Sequence, residues 1–205
     1  MTSHAQAGTS PVLEPSADIS ATREELDLDQ KTFADFGVSD EIVDALAEKG
    51  IIHPFPIQAL TLPVALRRQD IIGQAKTGTG KTFGFGIPAL ESIVTPEDED
   101  FEDLDAPGAP QALIIAPTRE LAVQVAGDMK LAGSKLGVRV VEVTGGRSYE
   151  PQIKALNRGA EVVVGTPGRV IDLYKQKILN LSQISTLVLD CLLYTSDAAD
   201  DIALV

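Results

Sequence analysis

The chain has 205 residues, 44% of them hydrophobic and 23% charged, an ordinary balance for one domain with a buried core. A single cysteine, Cys191, excludes an internal disulfide, and two histidines, His4 and His53, exclude a zinc-type cluster. No apolar run approaches the roughly eighteen residues of a membrane span, and the first residues lack a basic start followed by an apolar core, so the expectation is a soluble cytoplasmic protein with no membrane partner.

The net charge of −13 looks unsuited to nucleic acid, but the acids are segregated. Residues 1–31, 95–110 and 191–205 hold sixteen acids and two bases, which leaves fourteen acids against fifteen bases in the remainder. Residues 1–31 mix Ser, Thr, Ala, Pro and acids without periodicity, the composition of a segment that cannot offset its ordering entropy, and are predicted to be a disordered acidic tail. Residues 32–190 form the expected domain. In it Ser39 can cap a helix with Ile42, Val43 and Leu46 on one face, ending near Gly50, and a second helix follows Pro56. Short apolar runs at Asp70–Gly73, Ala112–Ala116, Val138–Val143, Glu161–Val164 and Thr186–Asp190 then alternate with helical stretches and read as buried strands. After Pro117, residues Leu121, Val125, Met129, Ala132 and Leu136 recur at helical spacing and can cover one sheet face. The fold class is α/β, a mostly parallel sheet flanked by helices. Residues 95–110, with seven carboxylates, Pro and Gly, interrupt the alternation as a solvated loop.

The chemistry is densest after the first strand. Ala75, Lys76, Thr77, Gly78, Thr79, Gly80, Lys81 and Thr82 have the pattern of a phosphate-binding loop, with Ala where the first glycine usually stands. Glycines at 78 and 80 let successive N–H groups turn inward, and the following helix aims its positive end at the phosphates. Lys81 is the candidate for the β- and γ-phosphates, and the Thr82 hydroxyl is a candidate Mg²⁺ ligand.

About twenty residues upstream, Gly50 to Gln58, preceded by Phe33, resembles the Q motif of the DEAD-box RNA helicases. Pro117, Thr118, Arg119, Glu120, Leu121 and Ala122 match motif Ia of that family, Gly145 and Gly146 its GG motif, and Thr166, Pro167, Gly168 and Arg169 its motif Ib. The resemblance covers about residues 33–190 and implies a RecA-like P-loop NTPase domain that uses ATP and Mg²⁺. Gln58 would read adenine, since its amide can donate and accept at once, and Phe33 would pack nearby. Ile51 stands where the family often has an aromatic. The turns at 117–120, 145–146 and 166–169 would bind RNA phosphate and ribose without reading bases.

Thr186 to Asp190 resembles the strand that enters the family's acidic motif, with Asp190 as its first residue and a second Mg²⁺ ligand. The family continues Glu-Ala-Asp; here Cys191, Leu192 and Leu193 follow, so the glutamate that polarises the attacking water is missing. Residues 191–205 therefore read as a tail foreign to the family, and Asp197–Asp200 is not a substitute for the motif. The implied function is the ATP- and RNA-binding half of an ATP-dependent RNA helicase, an ATP hydrolase by family, with a second RecA-like domain in the parent and no turnover by this chain alone. Two alternatives remain: a non-catalytic ATP- or RNA-binding module, and a phosphate-loop enzyme of another class.

Overall fold

A computed structural model describes residues 27–75, 78–191 and 201–204. The predicted disordered tail therefore lies almost wholly outside the described residues. Five strands follow the expected order: β1 (Ile72–Ala75), β2 (Ala112–Ile115), β3 (Val140–Val143), β4 (Val162–Gly165) and β5 (Thr186–Cys191). β1 begins two residues later than expected and ends two residues further on.

Between them run α1 (Asp40–Ala47), α2 (Pro56–Ala65), α3 (Lys81–Glu91), α4 (Arg119–Ala132), α5 (Tyr149–Leu156) and α6 (Pro167–Lys175). Alternation along each strand builds two cores. Ala112, Ile114, Val162, Val164 and Val188 pack with residues of α1 to α4, among them Leu46, Leu62, Ile87 and Met129. Leu113, Val141, Val143 and Val163 face the other way, onto Val170 and Leu173 of α6 and Ile153 of α5. Each such fully buried Val, Leu or Ile contributes about 1.5–3 kcal/mol of transfer free energy, so the two faces hold the strand ends in fixed register.

The expected cap at Ser39 is corrected. Ser39 stands at the N-cap of α1, but its hydroxyl is buried without a partner, while its N–H donates to Glu91 of α3 at 2.7 Å. A carboxylate from a neighbouring helix thus satisfies the N-cap N–H, while the Ser39 hydroxyl makes no cap bond. The acidic loop is exposed along its carboxylates, as expected, and includes a short 3-10 turn at Glu99–Asp103.

The sheet order is β1-β6-β5-β2-β4-β3. β2, β3, β4 and β5 pair in parallel, but β6 (Asp201–Leu204) lies antiparallel between β1 and β5. The expectation gave these last residues no strand. A four-residue extended segment here satisfies backbone donors and acceptors that β1 and β5 would otherwise present to each other across a gap. β1 and β5 both run opposite to β6 and hence parallel to each other, so all five carboxyl ends lie on one edge of the sheet. Ligands of open α/β sheets bind along that edge.

Candidate functional site

The nucleotide side starts where β1 ends. Gly78 and Gly80 have φ of +79° and +77°, the left-handed region that side chains rarely adopt, and Gly80 is the N-cap of α3. Lys76 and Thr77 lie outside the described residues. At Gly80 the lack of a side chain is also steric: a Cβ would fall 2.6 Å from Gln58 Nε2 and 2.7 Å from the Phe55 ring. The Lys81 ammonium donates to the carbonyl of Ala75, so the lysine closes the loop on itself. Thr82, one residue into α3, lies beside the Asp128 carboxylate of α4. Burial raises the Asp128 pKa above its ordinary value, and the neighbouring Thr82 hydroxyl opposes that shift.

Gln58 is 1% exposed and bonded at both ends of its amide. Its Oε1 accepts from Phe55 N at 2.8 Å, and its Nε2 donates to Gly80 O at 2.6 Å. The predicted adenine reader is thus tied directly to the phosphate loop. Phe33 is 1% exposed, inside the core with Val38 and Ile42, so it supports this corner as packing. Ile51 also packs against that core. Sequence reasoning passed over Phe55, which is 45% exposed and lies over Gly80. Its position between Pro54 and Pro56 was the available signal.

Asp190 sits near the end of β5, its Cα opposite Ala203 of β6. One intervening strand separates β5 from β1, so their axes are about 10 Å apart, twice the usual strand spacing. A hydroxyl at Thr82 and a carboxylate at Asp190 are hard oxygen donors of the kind Mg²⁺ takes. The residues fit Mg²⁺ in donor chemistry. Among the described residues no cluster of three or more His, Cys, Asp or Glu side chains forms a metal cage, so a divalent ion would depend on phosphate oxygens as well.

The other candidate residues sit on three neighbouring turns, after β2, β4 and β3. Residues Pro117, Thr118, Arg119 and Glu120 are all exposed. The Thr118 hydroxyl accepts from Leu121 N at 3.3 Å, capping α4 and leaving its own proton to donate outward. Arg119 has a side-chain exposure of 47% and is held by Glu120, whose carboxyl is kept below its ordinary pKa by its own backbone N–H first and Arg119 second. Gly146 has φ +72°, and a Cβ there would meet Arg119 Nη1 at 3.6 Å, so the GG turn and the motif Ia turn abut. The Thr166 hydroxyl accepts from Gly145 N at 3.2 Å and links the other pair of turns. Pro167 and Gly168 are exposed at the start of α6. Arg169 differs from its neighbours: it is 8% exposed, with its guanidinium 3.7 Å from the Tyr149 ring centroid and Nη2 donating to Arg147 O at 3.0 Å.

An extended strand, a glycine turn, Lys81 and Thr82 opening a helix, and a sheet with its carboxyl ends aligned define a phosphate-loop nucleotide-binding α/β domain. Residues 55–192 match the DEAD/DEAH box helicase family model, and the chain belongs to that family. It is 45% identical over 166 residues to the ATP-dependent RNA helicase RhlB of Shewanella amazonensis, covering 81% of this chain and 37% of that protein. It is 48% identical over 158 residues to the DEAD-box ATP-dependent RNA helicase CshA of Streptococcus pneumoniae, covering 77% of this chain and 28% of that protein. A solved DEAD box protein from Methanococcus jannaschii superimposes with a TM-score of 0.65 at 36% identity, covering 78% of this chain and 41% of the other. The chain thus spans well under half the length of the relatives it matches. Among the described residues, no helix is long and apolar enough to cross a membrane.

Proposed function

We propose that the chain is the ATP- and RNA-binding first RecA-like domain of a cytoplasmic ATP-dependent RNA helicase. The observation that carries this reading is the bond from Gln58 Nε2 to Gly80 O, because it couples a base-reading amide to the phosphate loop. When ATP enters, Lys81 would leave the Ala75 carbonyl for the β- and γ-phosphates, and Gln58 would exchange its protein partners for the adenine edge. Thr82 and Asp190 would hold Mg²⁺, which supplies charge neutralisation at the phosphates. Thr118, Arg119, Gly145, Gly146, Thr166 and Gly168 would take the RNA backbone along the same edge, a sequence-independent contact set. A second RecA-like domain would close over both ligands and bend one strand.

Cys191 stands where the resemblance places the glutamate that polarises water, so this chain binds ATP without turning it over. That same residue favours a second reading, a non-catalytic ATP- and RNA-binding module. Nucleotide titration and an ATPase assay separate the possibilities. The chain should prefer ATP to GTP, and Lys81→Ala should abolish nucleotide binding; equal binding by that variant defeats the site assignment. RNA-stimulated hydrolysis should require Cys191→Glu, Leu192→Ala and Leu193→Asp together with a second RecA-like domain. Hydrolysis by the unaltered chain would show that the missing base is wrongly assigned. No hydrolysis in the repaired two-domain protein would leave the module as the better account.

A further inference from the structure

Arg169 is a buried cation, and such a group is costly unless its charge and hydrogen bonds are satisfied. No carboxylate lies within ion-pair distance of it among the described residues. Its guanidinium instead stacks on Tyr149 at 3.7 Å and donates to Arg147 O at 3.0 Å, while Nη1 is buried without a hydrogen-bond partner. The stacking ring is itself fastened. Tyr149 OH donates to Asp172 of α6, and Gln176 Nε2 donates to the other oxygen of that carboxylate at 2.9 Å. Asp172 is held below its ordinary pKa by the Tyr149 bond first, then by Gln176, with the Arg169 charge adding to the effect.

These contacts join the β3–α5 loop at residue 147 and the first residue of α5, Tyr149, to one flank of α6, through residues 169, 172 and 176. On the loop's other side, Gln152 brackets Thr144, accepting from its N–H and donating to its carbonyl, both at 3.1 Å. The loop between, which carries Gly145 and Gly146, is therefore gripped from two directions. The cations exposed beside it are Arg119 and Arg147, with side-chain exposures of 47% and 56%. A guanidinium under a ring with one nitrogen spent on a backbone carbonyl is poorly placed to reach a phosphate; it is well placed to hold a loop.

We infer that Tyr149 and Asp172 are positioning residues for RNA binding: they clamp Arg169, which pins the 145–147 loop to the turn at 166–168 and does not itself contact RNA phosphate. The inference rests on the RNA-binding reading of this edge. Its consequence is that Arg169 acts through the geometry of backbone N–H groups, whereas Arg119 acts through charge.

Two measurements on the full chain test it. The first is backbone amide exchange at Gly145, Gly146 and Arg147 without RNA. Arg169→Lys and Tyr149→Leu should each speed exchange about tenfold by loosening the loop, Tyr149→Phe less, and Arg119→Ala not at all. The second is the salt dependence of affinity for a ten-nucleotide single-stranded RNA. Losing one phosphate contact should lower the logarithmic salt slope by about 0.7, as expected for Arg119→Ala. Arg169→Gln and Arg169→Lys should weaken binding to a similar extent with the slope unchanged, and Tyr149→Leu should add little to either. A slope drop in Arg169→Gln with near-normal affinity in Arg169→Lys would make Arg169 a phosphate ligand and overturn the inference. Unchanged exchange in Tyr149→Leu would overturn it too. Absence of RNA binding by the chain, with the exchange pattern intact, would defeat the RNA reading and leave the clamp standing. If Arg169→Gln fails to fold, Tyr149→Phe and Tyr149→Leu carry both measurements.

Discussion

The two ends of the carboxyl edge are built on opposite plans. On the nucleotide side, the groups expected to meet ligand are turned inward: Lys81 onto Ala75 O, and Gln58 onto Phe55 N and Gly80 O. On the RNA side, Gln152 and Arg169, the latter itself expected to meet ligand, are buried and hold the loops, while Thr118, Arg119, Gly146 and Gly168 are exposed. The Lys81 ammonium and the buried Gln58 amide both have partners within the protein, so ligand binding would exchange one set of bonds for another. A backbone-binding edge has only to keep its N–H groups in place. The comparison teaches that stability and binding should be coupled at the first end and separable at the second.

Gln58→Ala breaks the comparison where the effect is largest. It removes two hydrogen bonds at a buried position and leaves Phe55 N–H and Gly80 C=O to find water, so the ligand-free chain should lose about 1–3 kcal/mol. Thermal or urea unfolding without nucleotide reads this directly. No change in stability would mean that Gln58 serves ligand alone. Nucleotide affinity should fall in the same variant, because the amide stands in both accounts.

Arg119→Ala tests the other end. Arg119 is half exposed and its bond to Glu120 is a surface pair, so stability should stay within about 0.5 kcal/mol while RNA affinity falls. Equilibrium unfolding beside an RNA titration checks the separation. A melting change as large as that of Gln58→Ala would erase the distinction between the two ends.

The same contrast explains what could be seen in the sequence. β2 and β4 were legible because buried apolar runs such as Ala112–Ile115 and Val162–Gly165 have no other stable use, and the phosphate loop because its glycines, lysine and threonine must occur in that order; β1 and β5 stand where expected but are not the buried strands expected, with Ile72 69% and Leu187 47% exposed. The exposed turns were legible as motif matches. The partners of those residues were not: that Glu91 would accept from Ser39 N, that Asp128 would lie beside Thr82, or that Arg169 would stack on Tyr149 depends on contacts between elements far apart in the chain. β6 was missed because its place depends on what β1 and β5 leave open, and not on any pattern of its own. Arg169 shows the cost of reading a motif as a set of contacts: its letter matched, but its side chain is buried.

The smallest expected effect sharpens the comparison through pH. Asp172 is held below its ordinary value of 3.8 chiefly by the Tyr149 hydroxyl, and Tyr149 is held above its ordinary value of 10.0 chiefly by Asp172. A depressed carboxylate contributes stability that is complete above its unfolded pKa and is lost as pH falls through the folded one. A raised phenol contributes stability that is complete below its unfolded pKa and is lost as pH rises through the folded one. The pair should therefore add to stability between about pH 4 and pH 10, where the carboxylate is charged and the phenol is not. Both groups face solvent, so the gain is small. Melting temperatures of the chain and of Asp172→Asn should differ by a constant small amount across that window and converge on both flanks. Convergence on the acid side alone would leave the carboxylate favoured by its α6 neighbours without the Tyr149 bond, and the loop on the RNA side would then lack the anchor that holds its stacking ring.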